Sequence, residues 1–125
     1  MLKTTRNALC SPIIGRVIEL NKYVFQKRTI PEKTIQNAYV KPLLIQCELL
    51  FTQALRELRG KDYLKRALET IEAIQSKNYL IHAMKGWNID VTTFIDAACD
   101  DIVKQLYAID NKNKAGVTKS KDESE

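Results

Sequence analysis

Few side chains in this chain of 125 residues could do chemistry, and their spacing limits what that chemistry is. His82 is the single histidine, so any Ser–His or Cys–His pair would have to use it. It falls beside Ile81 in a helical pattern with no activating signature nearby, which predicts a packing or surface role. Cys10, Cys47 and Cys99 are odd in number and far apart, with no C-x-x-C; they predict reduced structural thiols, not a zinc site or a disulfide framework. The pairs Glu69/Glu72 and Asp96/Asp100 stand at i, i+3 and i, i+4, the spacing of a solvated helix face or of carboxylates that could share a metal. Di-iron bundles add a Glu-x-x-His motif from each of two helices, and none is present. No glycine-rich phosphate loop of either common type occurs. This inventory predicts no catalytic residue, no metal and no cofactor: a protein that works by binding.

The basic residues are the more informative set. Residues 1–66 carry 13 Lys/Arg against 5 Asp/Glu, a net of +8, whereas residues 67–125 carry 7 against 10, a net of −3. Such segregation suggests a basic surface for nucleic acid or an acidic protein face; the alternative is that the lysines merely solvate helices. Lys22, Lys27, Arg28, Lys33 and Lys41 lie in and around the first two helical patterns, and Arg56, Arg59, Lys61, Lys65 and Arg66 gather where the second meets the third. In that corner Arg56 and Arg59 share a face and Lys61 sits in a turn. Glu57 and Asp62 are placed to neutralise part of it. Tyr63 and Tyr79 are the aromatics that could stack on bases, too few to imply sequence-specific reading.

These residues are positioned by helices. Hydrophobic residues make up 45% of the chain and charged residues 28%, ordinary values for one folded domain, and only four Gly and three Pro interrupt it. The first helix starts at Ser11-Pro12, with Ser11 as cap, and buries Ile13, Val17, Leu20 and Val24, flanked by Ile14, Ile18 and Phe25. The second runs from about Tyr39 to Leu58, with Pro42 in its first turn and residues 31–38 as loop or a short separate turn. Gly60 stops it, Asp62 caps a third helix from Tyr63 to about Lys85, and Gly86 stops that one. The third helix buries Leu64, Leu68, Ile71, Ile74 and Ile81. The fourth, capped by Asp90 or Thr92, buries Val91, Phe94, Ile95, Ala98, Cys99, Ile102, Leu106 and Ile109. The expectation is an all-α, antiparallel up-down four-helix bundle over residues 1–110 and a disordered tail over 111–125, where the sequence is polar and aperiodic. No signal peptide or membrane span is read, so a cytoplasmic protein is expected.

Two stretches, YLKRALETIEAIQSKNYLIHAMKG from Tyr63 and TTFIDAACDDIVKQLYAI in the fourth helix, resemble the four-helix-bundle family of accessory variability determinants of diversity-generating retroelements. The likeness covers residues 12–110 in helix number, length and order. It includes Pro31 after the first helix, the basic corner at Arg59, Lys61, Lys65 and Arg66, and Asp101, Ile102, Lys104 and Leu106 in the fourth helix. The arginine pair of the family's third helix falls on Gln75 and Tyr79; Lys77 and Lys85 supply charge to that helix instead. The sister family encoded in ribosomal RNA intervening sequences is a poorer fit.

The resemblance implies a homopentamer whose basic outer surface binds a reverse transcriptase and RNA or DNA, supporting mutagenic cDNA synthesis. Without it, the residues leave open a generic bundle that binds RNA or DNA, and a protein–protein adaptor or scaffold with no nucleic-acid contact.

Overall fold

The computed structural model describes the backbone of residues 8–124 and the side chains of residues 8–115. Helix α1 spans Pro12–Lys27. Helix α2 is composite: a short turn Lys33–Ile35, a π-helical turn Gln36–Val40, and the α-helix Lys41–Leu58. Helix α3 spans Leu64–Ala83 and α4 Ile89–Ser124. Each packs on the next and α4 closes on α1. The cross-contacts give the directions. Arg16 meets Asp101 and Tyr23 stacks on Phe94, so α1 and α4 are antiparallel; Asn21 donates to the Cys47 carbonyl, and Asn78 to the Thr92 carbonyl. The architecture is an all-α up-down bundle, and none of its described helices is long and apolar enough to cross a membrane.

The apolar stripes make one core. Ile13, Ile14, Val17, Leu20 and Val24 of α1 meet Leu43, Cys47, Leu50 and Ala54 of α2, Ile71, Ile74 and Ile81 of α3, and Ile95, Ala98, Cys99, Ile102 and Leu106 of α4. Full burial of each large aliphatic side chain contributes about 1.5–3 kcal/mol against chain entropy. Several expected core positions sit at its margin: Leu64, Leu68 and Ile109 are partly buried, Phe94 is half-buried, and Phe25 is exposed. The three cysteines are free; Cys47 and Cys99 are buried, and burial holds both thiols well above their ordinary range, Cys99 at about 12.

The helix ends differ from expectation in chemistry more than in position. Ser11 occupies the cap of α1 but its hydroxyl makes no capping bond. Tyr63 N–H, at the start of α3, donates to Glu57 Oε2 at 2.7 Å, so a carboxylate from α2 does what Asp62 was expected to do. The cap of α4 is Asn88, whose Oδ1 accepts from Val91 N–H at 3.1 Å, rather than Asp90 or Thr92. Helices α2 and α3 both end in a Schellman turn, Lys61 N–H reaching the Arg56 carbonyl and Gly86 N–H the Ile81 carbonyl. Gly60 takes the left-handed φ of 87° in the first, but in the second Lys85 does so, at 63°. Gly86 serves by lacking a side chain: a Cβ there would lie 2.7 Å from Ile81 Cγ2 and 3.1 Å from Ile35 Cγ2.

Residues 33–38, expected as loop or a separate turn, continue into α2 through the π-turn. Pro42 lacks an N–H and its ring would press on the Ala38 carbonyl in an uninterrupted α-helix. The wider turn relieves this, ending with Lys41 N–H on the Gln36 carbonyl. The bundle boundary expected at 110 also moves. Helix α4 runs on, with Asn113 Nδ2 donating to the Glu57 carbonyl at 3.0 Å and Lys114 Nζ 2.9 Å from Asp110. Polar composition suggested disorder from Asn111; through Ala115 the chain is instead helical, and Asn113 ties it to the end of α2.

Candidate nucleic-acid interface

Helix direction sorts the basic residues into two groups at opposite ends. The C-terminal end of α2 and the start of α3 bring Arg56, Arg59, Lys61, Lys65 and Arg66 to one corner. Lys27 and Arg28 end α1 at the other end, where Lys33 and Lys41 begin α2 and Lys85 follows α3. The 18 residues of Lys41–Leu58 set these ends about 27 Å apart. Lys22 lies along α1 in a shallow groove with Phe25 and Leu44. Lys77 is on α3 and half-buried. The twelve basic residues singled out from the sequence therefore do not form one patch.

The two ends also use their cations differently. Arg28 donates to the Phe25 carbonyl at 2.6 Å and its guanidinium carbon lies 3.6 Å from that ring's centroid. Lys33 Nζ donates to the Ile30 carbonyl at 3.1 Å and to Gln36 Oε1 at 3.3 Å, closing the α1–α2 connection. Lys27 sits 5.6 Å from the Tyr23 ring centroid. Three of the five thus engage their own chain. At the corner all five cations are exposed, and none forms an ion pair with a described carboxylate. Arg56 donates to the Tyr63 hydroxyl, and the guanidinium carbons of Arg56 and Arg66 lie 5.1 and 4.8 Å from the Tyr63 ring centroid. The Arg56 hydrogen bond, with the charges of both arginines, lowers the Tyr63 pKa. The Arg59, Lys61 and Lys65 side chains have no hydrogen bond, ion pair or ring contact with any described residue.

Glu57 does not neutralise this corner. Its side chain turns inward, 1% exposed, and accepts from Tyr63 N–H. Its carboxylate, that of exposed Asp62 and that of buried Asp110 lie within 4.8 Å of one another, beside a cleft of about 440 Å³ that Lys61 and Lys114 also line. These three are the described residues that could ligate a hard cation, but Lys114 already sits on Asp110 and a backbone N–H on Glu57. Burial is the main cause that raises the Glu57 pKa; Asp110 and then Asp62 add to it, against the opposing Tyr63 N–H bond. Sequence spacing gave no sign of this cluster, because Asp110 is 53 positions from Glu57 and only the parallel diagonal of α2 and α4 unites them.

A carboxyl with a raised folded pKa binds more protons in the native than in the unfolded state, so stability falls as pH rises from the ordinary glutamate range through the raised value. Glu57→Gln keeps an acceptor for Tyr63 N–H and removes the ionisation. It should unfold a few degrees above the parent protein near pH 8 and lose that margin near pH 4, followed by thermal melts across the range. A margin independent of pH would show that Glu57 ionises in the fold without penalty.

Other chemistry-bearing residues have structural partners. His82 Nδ1 lies 3.3 Å from the Trp87 carbonyl. Gln75 Nε2 donates to Asp96 and Asp100 at 3.1 Å each, and the Tyr79 hydroxyl donates to Asp96, so the acidic pair on α4 is bound to α3. Arg16, not singled out from the sequence, pairs with Asp101 and Glu19 at 3.1 Å each. No protein-family model, curated protein or solved structure matches the chain.

Proposed function

We propose that this chain is a non-catalytic protein that binds nucleic acid through phosphate contacts at the α2–α3 corner. The observation that supports this is the set of five exposed cations there, none in an ion pair with a described carboxylate. Counter-ions condensed on a nucleic-acid backbone are released when such cations replace them, which drives binding without base recognition. With five contacts the slope of log affinity against log salt is about −4 to −5, so affinity for a short duplex should fall several hundred-fold between 50 and 200 mM salt. Fluorescence anisotropy of a labelled duplex measures this; affinity indifferent to salt sinks the reading.

The resemblance along α3 and α4 supports a narrower form of the same proposal: an accessory subunit, homopentameric and cytoplasmic, that joins a reverse transcriptase and its nucleic acid during retroelement cDNA synthesis. Co-expression with a reverse transcriptase of that class, followed by gel filtration and light scattering, tests it. A pentamer co-eluting with the enzyme supports it; a monomer that ignores the enzyme while still binding duplex leaves only the broader reading.

A further inference from the structure

Tyr63 was expected to offer a ring for base stacking, yet its hydroxyl accepts from Arg56 and its ring is attended by both Arg56 and Arg66. The two arginines come from different helices, and a guanidinium on a long flexible side chain loses considerable rotamer entropy when it is fixed by a ligand. Anchoring both to one phenol removes part of that loss before the ligand arrives. Tyr63 is itself fixed, because its N–H is held by the buried Glu57 carboxylate. We infer that Tyr63 is the positioning residue of a phosphate clamp, in which Arg56 and Arg66 are pre-set to grip one backbone phosphate of a duplex while Arg59, Lys61 and Lys65 contact its neighbours.

This inference rests on the nucleic-acid reading above and adds a ligand class and a division of labour. Guanidiniums bind phosphate in a planar, two-pronged manner that lysine cannot reproduce, so the arginines define the clamp and the lysines its surroundings. A clamp built this way reads the backbone and not the base sequence.

The test compares the full chain with Tyr63→Phe and Lys65→Ala, using a short mixed-sequence DNA duplex in anisotropy. Tyr63→Phe keeps every cation but frees Arg56; binding should weaken about fivefold, the size of one net hydrogen bond, with the salt slope unchanged. Lys65→Ala should weaken binding and make the slope about one unit shallower. A second readout is tyrosinate absorbance against pH. Tyr63 should ionise ahead of its ordinary range in the free protein, and later once the charge of a bound phosphate offsets that of the two guanidiniums that stay on it; the Tyr63→Phe difference spectrum identifies it. Unchanged affinity in Tyr63→Phe with normal loss in Lys65→Ala overturns the clamp and spares the nucleic-acid reading. A parent protein that does not bind duplex overturns both. Displacement of duplex by millimolar inorganic phosphate at constant ionic strength would reassign the arginines to free phosphate and overturn the backbone proposal.

Discussion

Replacing Asn78 with Leu is expected to cost about 2–4 kcal/mol of stability, although leucine has the same branching as asparagine and the site is buried. Asn78 is fully buried and uses both ends of its amide: Oδ1 accepts from the Trp87 indole N–H at 3.1 Å, and Nδ2 donates to the Thr92 carbonyl at 2.9 Å. Both partners are themselves buried, Trp87 at 7% and Thr92 at 6% exposure. Leucine would add apolar contact worth about 1 kcal/mol, but it would strand the Trp87 indole N–H away from water at about 1–3 kcal/mol, take the second bond from the Thr92 carbonyl and press a bulkier side chain into a filled site. The desolvation cost wins. The network also joins α3 to the connection leading into α4, because His82 Nδ1 lies 3.3 Å from the Trp87 carbonyl. Urea unfolding of the parent and Asn78→Leu measures the loss, and Asn78→Asp distinguishes a missing donor from missing shape. A leucine variant as stable as the parent would mean that the connection relaxes to hydrate the Trp87 indole N–H.

Reversing the three unpartnered cations together, Arg59→Glu, Lys61→Glu and Lys65→Glu, is expected to lower duplex affinity by more than about 100-fold at near-physiological salt and to make the salt slope about three units shallower. The same reversal at Lys41 and Lys85, at the far end of the bundle, should change affinity far less. Compared per reversed charge, the two ends separate a defined interface from the effect of overall net charge, which a single triple variant cannot do. The Arg59 and Lys65 side chains are exposed and make no hydrogen bond, ion pair or ring contact with a described residue, so reversing those two should change unfolding stability by no more than about 0.5 kcal/mol, whereas Lys61→Glu, beside the Glu57, Asp62 and Asp110 carboxylates, should lower it further. Equal losses from reversal at either end would point to a diffuse electrostatic attraction with no defined interface.

The stripes at Ile13, Val17, Leu20 and Val24 and at Ile95, Cys99, Ile102 and Leu106 were legible because a helix that buries one face must repeat its apolar residues at three- and four-residue steps. Punctuation was legible for a similar reason: Pro12 suits a first helical turn, and the left-handed turn after α2 favours Gly60. The caps were less so. Glu57 and Asn88 serve helix starts that Asp62, Asp90 or Thr92 could have served on local pattern, since any short polar side chain near a helix start is a candidate until the chain path selects one. The extension of α4 past Asp110 was illegible because its anchor, the Glu57 carbonyl, is remote in sequence. The same remoteness hid the carboxylate cluster, whereas Arg56 and Arg66 are near Tyr63 in sequence and only the path of the turn between α2 and α3 puts both on its ring.

By itself the sequence determined the class of the protein: four amphipathic helices in chain order, one core, and an excess of positive charge in the first half. Those properties depend on periodicity and composition, which are local and need no knowledge of how helices dock. Tertiary structure decided which charges act together. Antiparallel packing sent one basic group to each end of the bundle, about 27 Å apart. It turned Glu57 inward and left Arg59, Lys61 and Lys65 facing water without a described partner. Coulomb attraction and hydrogen bonding act over a few ångströms of space, so the distances that select a site exist only once the chain has folded.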